Sequence, residues 1–517
     1  MFKRLSERVI HAFWLWWNGF SIDQRSLGLF RVGLGVTLFF DAFIRFQHRE
    51  FLYSNLGVSR LADPIPGSQG AWSILSGSDS PLFLAVFFAL YFAAIIFFTT
   101  GVKTKFFHVL VIIGYVSLSN RLLWTNYAGH CAIANLLLWT LFLPMDARFA
   151  LQNKVRPGAS PFFSLTLAVQ IFLIYFVAVS TKIGQDWHQG LGLYRALSNN
   201  IYSGSSGEWL NVHAPSWLLL SANYGTLLCE YSIAIFLFAR NGWRWVAIIA
   251  SFGLQAGIIL GMNLGVFPYG MLVMTVLLLR RQDWDWISKK ITFLHHGVFE
   301  PQKFTWGTNA LGGWLAMCML AASYNNYVHA TSYIFRESGH RYLKTPEWVD
   351  APRTYLYAQQ YWSVFAPSSK DHDDWLVPVG LTTSGHYVDL TDGKIIEGDV
   401  VAYLGRKKPQ DLFPDFPMWE IMDNAASKFT DEIGMKYVRA LLSRSKFPVN
   451  ELNRITLYWF YEKVLPFERR KEAYPPYRDR KTMTPFEIAG ADNFYVKRLE
   501  ISVADGRLKN LPQALPQ

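Results

Sequence analysis

The chain has 517 residues, of which 51% are apolar, 16% aromatic and only 17% charged, and its formal net charge is +11. An ordinary soluble domain carries about 25% charged residues, so this composition excludes a disordered chain, a disulfide-stapled secreted mini-protein and a coiled coil. The apolar residues form long runs over the first 325 positions and the charges collect after them. The basic excess is therefore weighed against a membrane before a nucleic-acid partner is considered.

Residues 1–24 read as an amphipathic N-terminal segment, with Phe2, Leu5, Val9, Phe13, Trp16 and Trp17 among Lys3, Arg4 and Arg8. Such a helix lies in the cytoplasmic membrane interface with its aromatics at headgroup depth, the alternative being a simple extension of the first span. No small-residue cleavage site follows an uninterrupted apolar core, so no cleavable signal peptide is expected.

A helix crosses a bilayer with about 20 mostly apolar residues. Nine runs qualify in sequence: roughly 27–45, 82–100, 106–122, 127–145, 161–183, 215–239, 243–261, 264–280 and 306–324, the third and eighth being the weakest. With the N-terminus inside, the inner segments hold 16 Lys and Arg, and the outer loops hold Arg49, Arg60, Arg121 and Arg195. That bias predicts a cytoplasmic N-terminus in the cell (inner) membrane and, with an odd number of spans, an extracytoplasmic tail.

Residues 25–325 are thus expected to form an all-α multi-pass bundle of about nine transmembrane helices. Residues 326–517 are expected to form a small extracytoplasmic α+β domain. The stretch 375–404 is strand-like, with turn chemistry at TSGH and TDGK, helices follow over 418–445, and a second β-prone piece reads RITLYWFYEKVL. Cys131, Cys229 and Cys318 all fall within predicted spans, so no disulfide framework is expected in the tail.

Ionisable residues inside spans are costly and are functional candidates by default. In the first span Arg45 follows Asp41 by four residues, which gives a helical ion pair, and Arg31 sits close enough to the inner face to snorkel. Glu230 lies near the middle of the sixth span, where a carboxylate must be paired, hydrogen-bonded or protonated. Arg31 is one available partner, and a structural ion pair and a proton-handling role are both open. Lys182 stands at the outer edge of the fifth span, just before Asp186, Trp187 and His188. It reads either as a snorkelling lysine or as an amine desolvated in a cavity. Trp124, Asn126, Tyr127 and His130 reach the same outer level ahead of the fourth span, so a pocket between spans four and five is one arrangement to look for. Gly253, Gly257, Gly261 and Gly265 form a stripe on the seventh span that allows close helix packing or leaves room for a flat ring. In the tail, Tyr361, Trp362 and Phe365 of YWSVFAP are expected to pack the domain or seat it on the membrane, and KDHDD at 370–374 reads as a solvated loop. Nothing here reads as a nucleotide, zinc or haem motif, so no metal or nucleotide is expected.

Taken together, SLGLFRVGLGVTLFFDAFIRF, WTLFLPMDARF, IYFVAVSTKIGQDWHQGLGLYRAL, NLGVFPYGM and QQYWSVFAPSSKDHDDWLVPVGLTTSGHYVDL resemble the bacterial HTTM proteins, relatives of vitamin K-dependent gamma-glutamyl carboxylase. The resemblance runs from about residue 25 into the tail. It implies a reduced quinone cofactor of the vitamin K or menaquinone type. It also implies an amine base, carried here by Lys182 with Asp186 and Trp187 after it, and carboxylation of a glutamate in an external peptide or protein substrate. The cofactor-positioning WNNH element corresponds to Trp124, Asn126 and His130 with a small insertion, and without a gap its histidine slot falls on Cys131; His130 is also the alternative catalytic base to Lys182, provided that it sits within about 3 Å of the phenol. A further histidine of the family stands as Gln255. The readings carried forward are a quinol-dependent carboxylase-like membrane enzyme, a non-catalytic membrane protein whose external domain binds a partner or peptide, and a transporter. The last would require paired broken helices, and only one break, near Pro268, is evident.

Overall fold

The computed structural model describes residues 20–59, 61, 71–122, 125, 127–152, 158–199, 201–239, 242–289, 306–332, 343–404, 416–427, 431–442, 447, 449–471, 494–504 and 507–510. The amphipathic segment at the N-terminus therefore lies almost wholly outside the described residues, as do Trp124 and Asn126.

Each of the nine expected spans contains a helix: α1 (Gln24–Gln47), α2 (Pro81–Thr100), α3 (Thr104–Arg121), α4 (Ala128–Thr140), α5 (Pro161–Ser180), α6 (Ser216–Phe236), α7 (Arg244–Gly261), α8 (Phe267–Thr275) and α9 (Trp306–Thr331). Local signals fix their starts. The Asp23 carboxylate accepts from the Arg25 backbone N–H at 2.8 Å, Ser80 caps α2 ahead of Pro81, and Pro161 opens α5. Gly101, at φ 78°, ends α2 in the left-handed conformation that only glycine adopts cheaply.

Among the described residues, five helices are long and apolar enough to cross a membrane: α1, α2, α5, α6 and α7. The other four depart from that standard for visible reasons. Helix α4 has 13 residues, which reach only about 20 Å, and α8 stops after nine and tightens into a 3₁₀ turn through Leu278. Helix α3 buries His108, Ser117, Asn120 and Arg121, and α9 carries Asn325, Asn326 and His329 in its last two turns. The long helices turn large apolar side chains outward, among them Phe40, Leu90, Leu228 and Ile249. A face of that kind is an aggregation liability in water and an ordinary surface in lipid.

One end of the bundle is closed by arginine. Arg31 is buried and gives its guanidinium to the carbonyls of Met145 at 2.6 Å, Thr99 at 3.3 Å, Arg148 at 3.3 Å and Phe149. It thereby satisfies carbonyls at the end of α2 and in the turn after α4, which the helices leave unpaired. Arg25 joins Asp23 and Asp285, each at 2.9 Å.

The tail contains one six-stranded antiparallel sheet ordered β3-β2-β1-β4-β5-β6, built from β1 (His372–Thr382), β2 (Tyr387–Asp389), β3 (Lys394–Ile396), β4 (Leu452–Lys463), β5 (Phe494–Ala504) and β6 (Arg507–Asn510). Helices α10 (Phe416–Ser427) and α11 (Asp431–Leu442) accompany it. The central β1–β4 pairing runs from His372 opposite Lys463 to Leu381 opposite Arg454, with Trp375 stacked on Phe460 at 5.2 Å.

The KDHDD segment is not the solvated loop expected of it. It opens β1, where Asp373 and Asp374 are buried, and Lys370 bridges Asp374 at 3.0 Å and Asp423 of α10 at 2.9 Å. Burial disfavours the Lys370 ammonium, but Asp423 and Asp374 outweigh it and raise its pKa above the ordinary lysine value.

Candidate functional site

The fifth, sixth and seventh spans enclose a cavity of about 360 Å³. It does not lie between α4 and α5, where the outer polar clusters pointed. That seam is filled, with Trp139 buried and its indole N–H donating to Gln170 at 3.4 Å. The spacing of the lining residues explains the site. On α5, Ile174, Tyr175 and Ala178 share one helical face, and Lys182 follows just past the end of the helix on the same side. Helix α6 adds Ala222, Gly225, Thr226, Cys229 and Glu230, again at three- and four-residue steps. Helix α7 adds Gly253, Gly257 and Gly261 together with Gln255.

The glycine stripe therefore borders open space rather than a packed neighbour at its centre: a Cβ placed on Gly253 or Gly257 would meet nothing within 4 Å. The outer end is closed by Trp187 and by Trp362, Val364 and Phe365 of the segment leading into the sheet.

Lys182 does not snorkel. It is buried, and its Nζ donates to both Glu230 oxygens, at 3.0 and 2.9 Å, and to the Ala178 carbonyl at 3.2 Å. It also sits 5.4 Å from the centre of the Trp187 ring. The partner of Glu230 is thus Lys182 and not Arg31, whose donors serve the carbonyls at the other end of α1. Forty-eight residues separate the two members of this pair, so nothing in their spacing could reveal it.

Asp186 and Trp187 act as struts. Asp186 Oδ2 accepts from the Ser369 N–H at 2.8 Å and lies 3.8 Å from Arg195. The Trp187 indole donates to the Phe365 carbonyl at 2.8 Å. Gly184 N–H donates to the Pro367 carbonyl, also at 2.8 Å. These bonds tie the segment after Lys182 to residues 365–369, where the bundle passes into the sheet. Trp362 and Phe365 are thereby drawn into the site, whereas the ring of Tyr361 is exposed.

His130 belongs to a different cluster. Its ring contacts Arg45, lies 3.6 Å from Asp41 and packs on Tyr127. Arg45 also bonds Asp41 at 3.1 Å and the Tyr53 hydroxyl at 2.9 Å. The Asp41–Arg45 pair expected from its spacing is present, fully buried, and His130 is not among the residues lining the cavity. Cys131, the ungapped alternative in the histidine slot, lies 3.9 Å from the Tyr357 hydroxyl.

Sequence reasoning missed Tyr175, Ser251 and Thr275, which form a buried chain behind Gln255. Gln255 Nε2 donates to the Tyr175 hydroxyl at 3.2 Å, Tyr175 lies 3.4 Å from Ser251 Oγ, and Ser251 lies 2.7 Å from Thr275 Oγ1. The signal was one tyrosine two turns before Lys182 on the same face. Among the described residues no group of His, Cys, Asp and Glu is arranged to hold a metal ion.

No curated protein and no solved structure matches the chain. The HTTM domain matches residues 20–284, just over half of the sequence and all of α1 to α8. The protein is therefore a member of the HTTM domain family, whose domain is found in vitamin K-dependent carboxylase-like membrane proteins.

Proposed function

We propose that this protein is a quinol-dependent, carboxylase-like membrane enzyme that modifies an external peptide or protein substrate, with the Lys182–Glu230 pair as its proton-handling group. The observation that carries the reading is the position of that pair: a buried lysine and carboxylate form the charged part of an otherwise apolar cavity wall. The cavity volume falls within the range of about 300–1,000 Å³ usual for small-ligand sites. The open glycine face of α7 suits a flat ring, and Gln255 Oε1, a buried acceptor without a partner among the described residues, suits a ring that bears a hydroxyl.

When bound, the reduced quinone would supply the electrons for oxygen reduction and, through it, the strong base that carboxylation requires. The chain's own contribution is narrower. The pair is neutral overall whether the shared proton sits on Lys182 Nζ or on Glu230. Taking up one proton from a neighbouring hydroxyl leaves the pair with one positive charge, in a wall that holds little water. A fixed cation there stabilises the negative charge left beside it far better than solvent does. Glu230 thus sets the position and charge of Lys182 Nζ, and Trp187, Trp362 and Phe365 keep water from the outer end.

In this reading all nine helices cross or re-enter the inner membrane. Residues 1–24 lie at the cytoplasmic face, 25–325 form the membrane domain and 326–517 the extracytoplasmic domain. The bias of Lys and Arg toward the inner loops supports that orientation. The docking of residues 365–369 on the site supports a coupling between the cavity and the tail that would hold an external substrate.

The test is oxygen-dependent oxidation of a reduced naphthoquinone by the purified protein in lipid. Lys182→Ala is expected to abolish it while expression and folding persist. Normal oxidation in that variant would refute the assignment.

A further inference from the structure

The cavity wall is short of hydrogen-bond donors, and this has a consequence for the redox state of what it binds. The hydrogen positions behind Gln255 follow from one end of the chain. Thr275 Oγ1 donates to the Met271 carbonyl one turn earlier, at 3.1 Å. With its hydrogen placed there, Ser251 donates to Thr275. Tyr175 must in turn donate to Ser251, and the Tyr175 oxygen is left to accept from the Gln255 amide nitrogen. All four side chains are buried, so water does not scramble this order. The amide is thereby held with Nε2 on Tyr175 and Oε1 turned away from it, and Oε1 has no hydrogen-bond partner among the described residues.

The other strong donors in the wall are also spent. Lys182 has three N–H bonds and three acceptors, two on Glu230 and one on Ala178. The Trp187 indole serves Phe365, the Trp362 indole serves Gln360, and the Thr226 hydroxyl serves the Ala222 carbonyl. Among the described residues of the wall no hydroxyl, indole or ammonium donor is left over and one Gln255 N–H is the remaining strong donor, while the Gln255 oxygen and the Glu230 carboxylate remain as acceptors. A buried acceptor that meets another acceptor forfeits its hydrogen bond and keeps its desolvation cost.

We infer that Gln255 makes this cavity select the reduced, hydroxyl-bearing form of its ring ligand over the oxidised, carbonyl-bearing form. A hydroxyl donates to Oε1; a carbonyl places two lone pairs against each other. In a turnover cycle this lets reduced cofactor displace spent cofactor without any conformational step. The inference rests on the quinol reading and deepens it.

The experiment is anaerobic equilibrium binding of menadione and of menadiol, its two-electron-reduced form, to the full chain in lipid nanodiscs. The wild type is expected to bind the reduced form about tenfold more tightly, the order of effect of one satisfied buried acceptor. Gln255→Leu is expected to bring the ratio of the two affinities close to one. Tyr175→Phe, which keeps Gln255 but frees the amide to turn over, is expected to lower the same ratio. A purely structural role for Gln255 would weaken both forms together and leave the ratio alone. Equal binding of the two forms by the wild type, or a ratio unchanged in both variants, overturns the inference and leaves the quinol reading standing. Binding of neither form removes the quinol reading as well.

Discussion

Two sets of buried charges sit in the same bundle, and they differ in what surrounds them. Around Asp41 and Arg45 every direction is filled: Tyr53, His130 and the rings of Tyr115 and Tyr127 close the cluster. Around Lys182 and Glu230 one side is protein and the other is open cavity. The first arrangement ties α1 to α4, and none of its charged groups lines the cavity. The second holds a proton site against free space. A charge inside a membrane span is thus a prompt to look for a site, and the empty volume beside it decides whether there is one.

Removing the two pairs should separate these roles. Replacing both members of the cavity pair, Lys182→Met with Glu230→Met, removes two buried charges together, a change that in soluble proteins is often neutral or stabilising. Thermal stability of the double variant is expected to stay near that of the wild type, while quinol oxidation falls by at least about a hundredfold, the lower range for loss of an acid–base group. A double variant that still turns over would return Lys182 to a structural role.

The filled cluster should respond in the opposite sense. Arg45→Met leaves Asp41 buried without its main partner, a break that costs about 3–5 kcal/mol. A large fall in melting temperature is expected, with affinity for the quinol unchanged in whatever protein remains folded at low temperature. Loss of binding without loss of stability would show that the α1–α4 cluster reaches the site after all.

The smallest effect concerns the junction with the sheet. His372 lies 2.8 Å from Asp371 and 3.4 Å from Asp374. The bond to Asp374 leads in raising its pKa above the ordinary histidine value. Its contribution to stability is therefore full below about pH 6.5 and is lost as pH rises through the raised value. Asp371 and Asp374 have lowered pKa values, so their contribution is present above about pH 3.9 and is lost in acid. Melting temperature should decline modestly between about pH 6 and 8, and His372→Asn should flatten that slope. A slope that persists in the variant would assign the dependence to another group.

The sequence carried the fold further than it carried the site. Hydropathy located all nine helices because each buries its apolar residues against lipid or neighbours, a property local to the run. The lengths of α4 and α8 were not readable, since both are ended by turns whose geometry depends on tertiary contacts. At the site, Lys182, Glu230, Gln255 and the glycine stripe each stand out, but Arg31 is the one partner for Glu230 that the sequence names, as an available one. Arg31 is instead consumed by four carbonyls at the other end of the bundle, which no spacing reveals. KDHDD misled for a related reason: its charges neutralise one another and Asp423 inside the fold, so they do not need water.

The central claim is that the space beside Lys182 and Glu230 holds a quinone. Gly257 offers the most direct way to ask, because a leucine side chain there meets no protein atom near its Cβ and fills the cavity instead. The measurement is mass spectrometry of the organic extract from equal amounts of purified wild type and Gly257→Leu, taken from the same membranes. A naphthoquinone retained by the wild type and depleted at least about tenfold in the variant is the predicted result; no quinone in either, or equal amounts in both, would contradict the account.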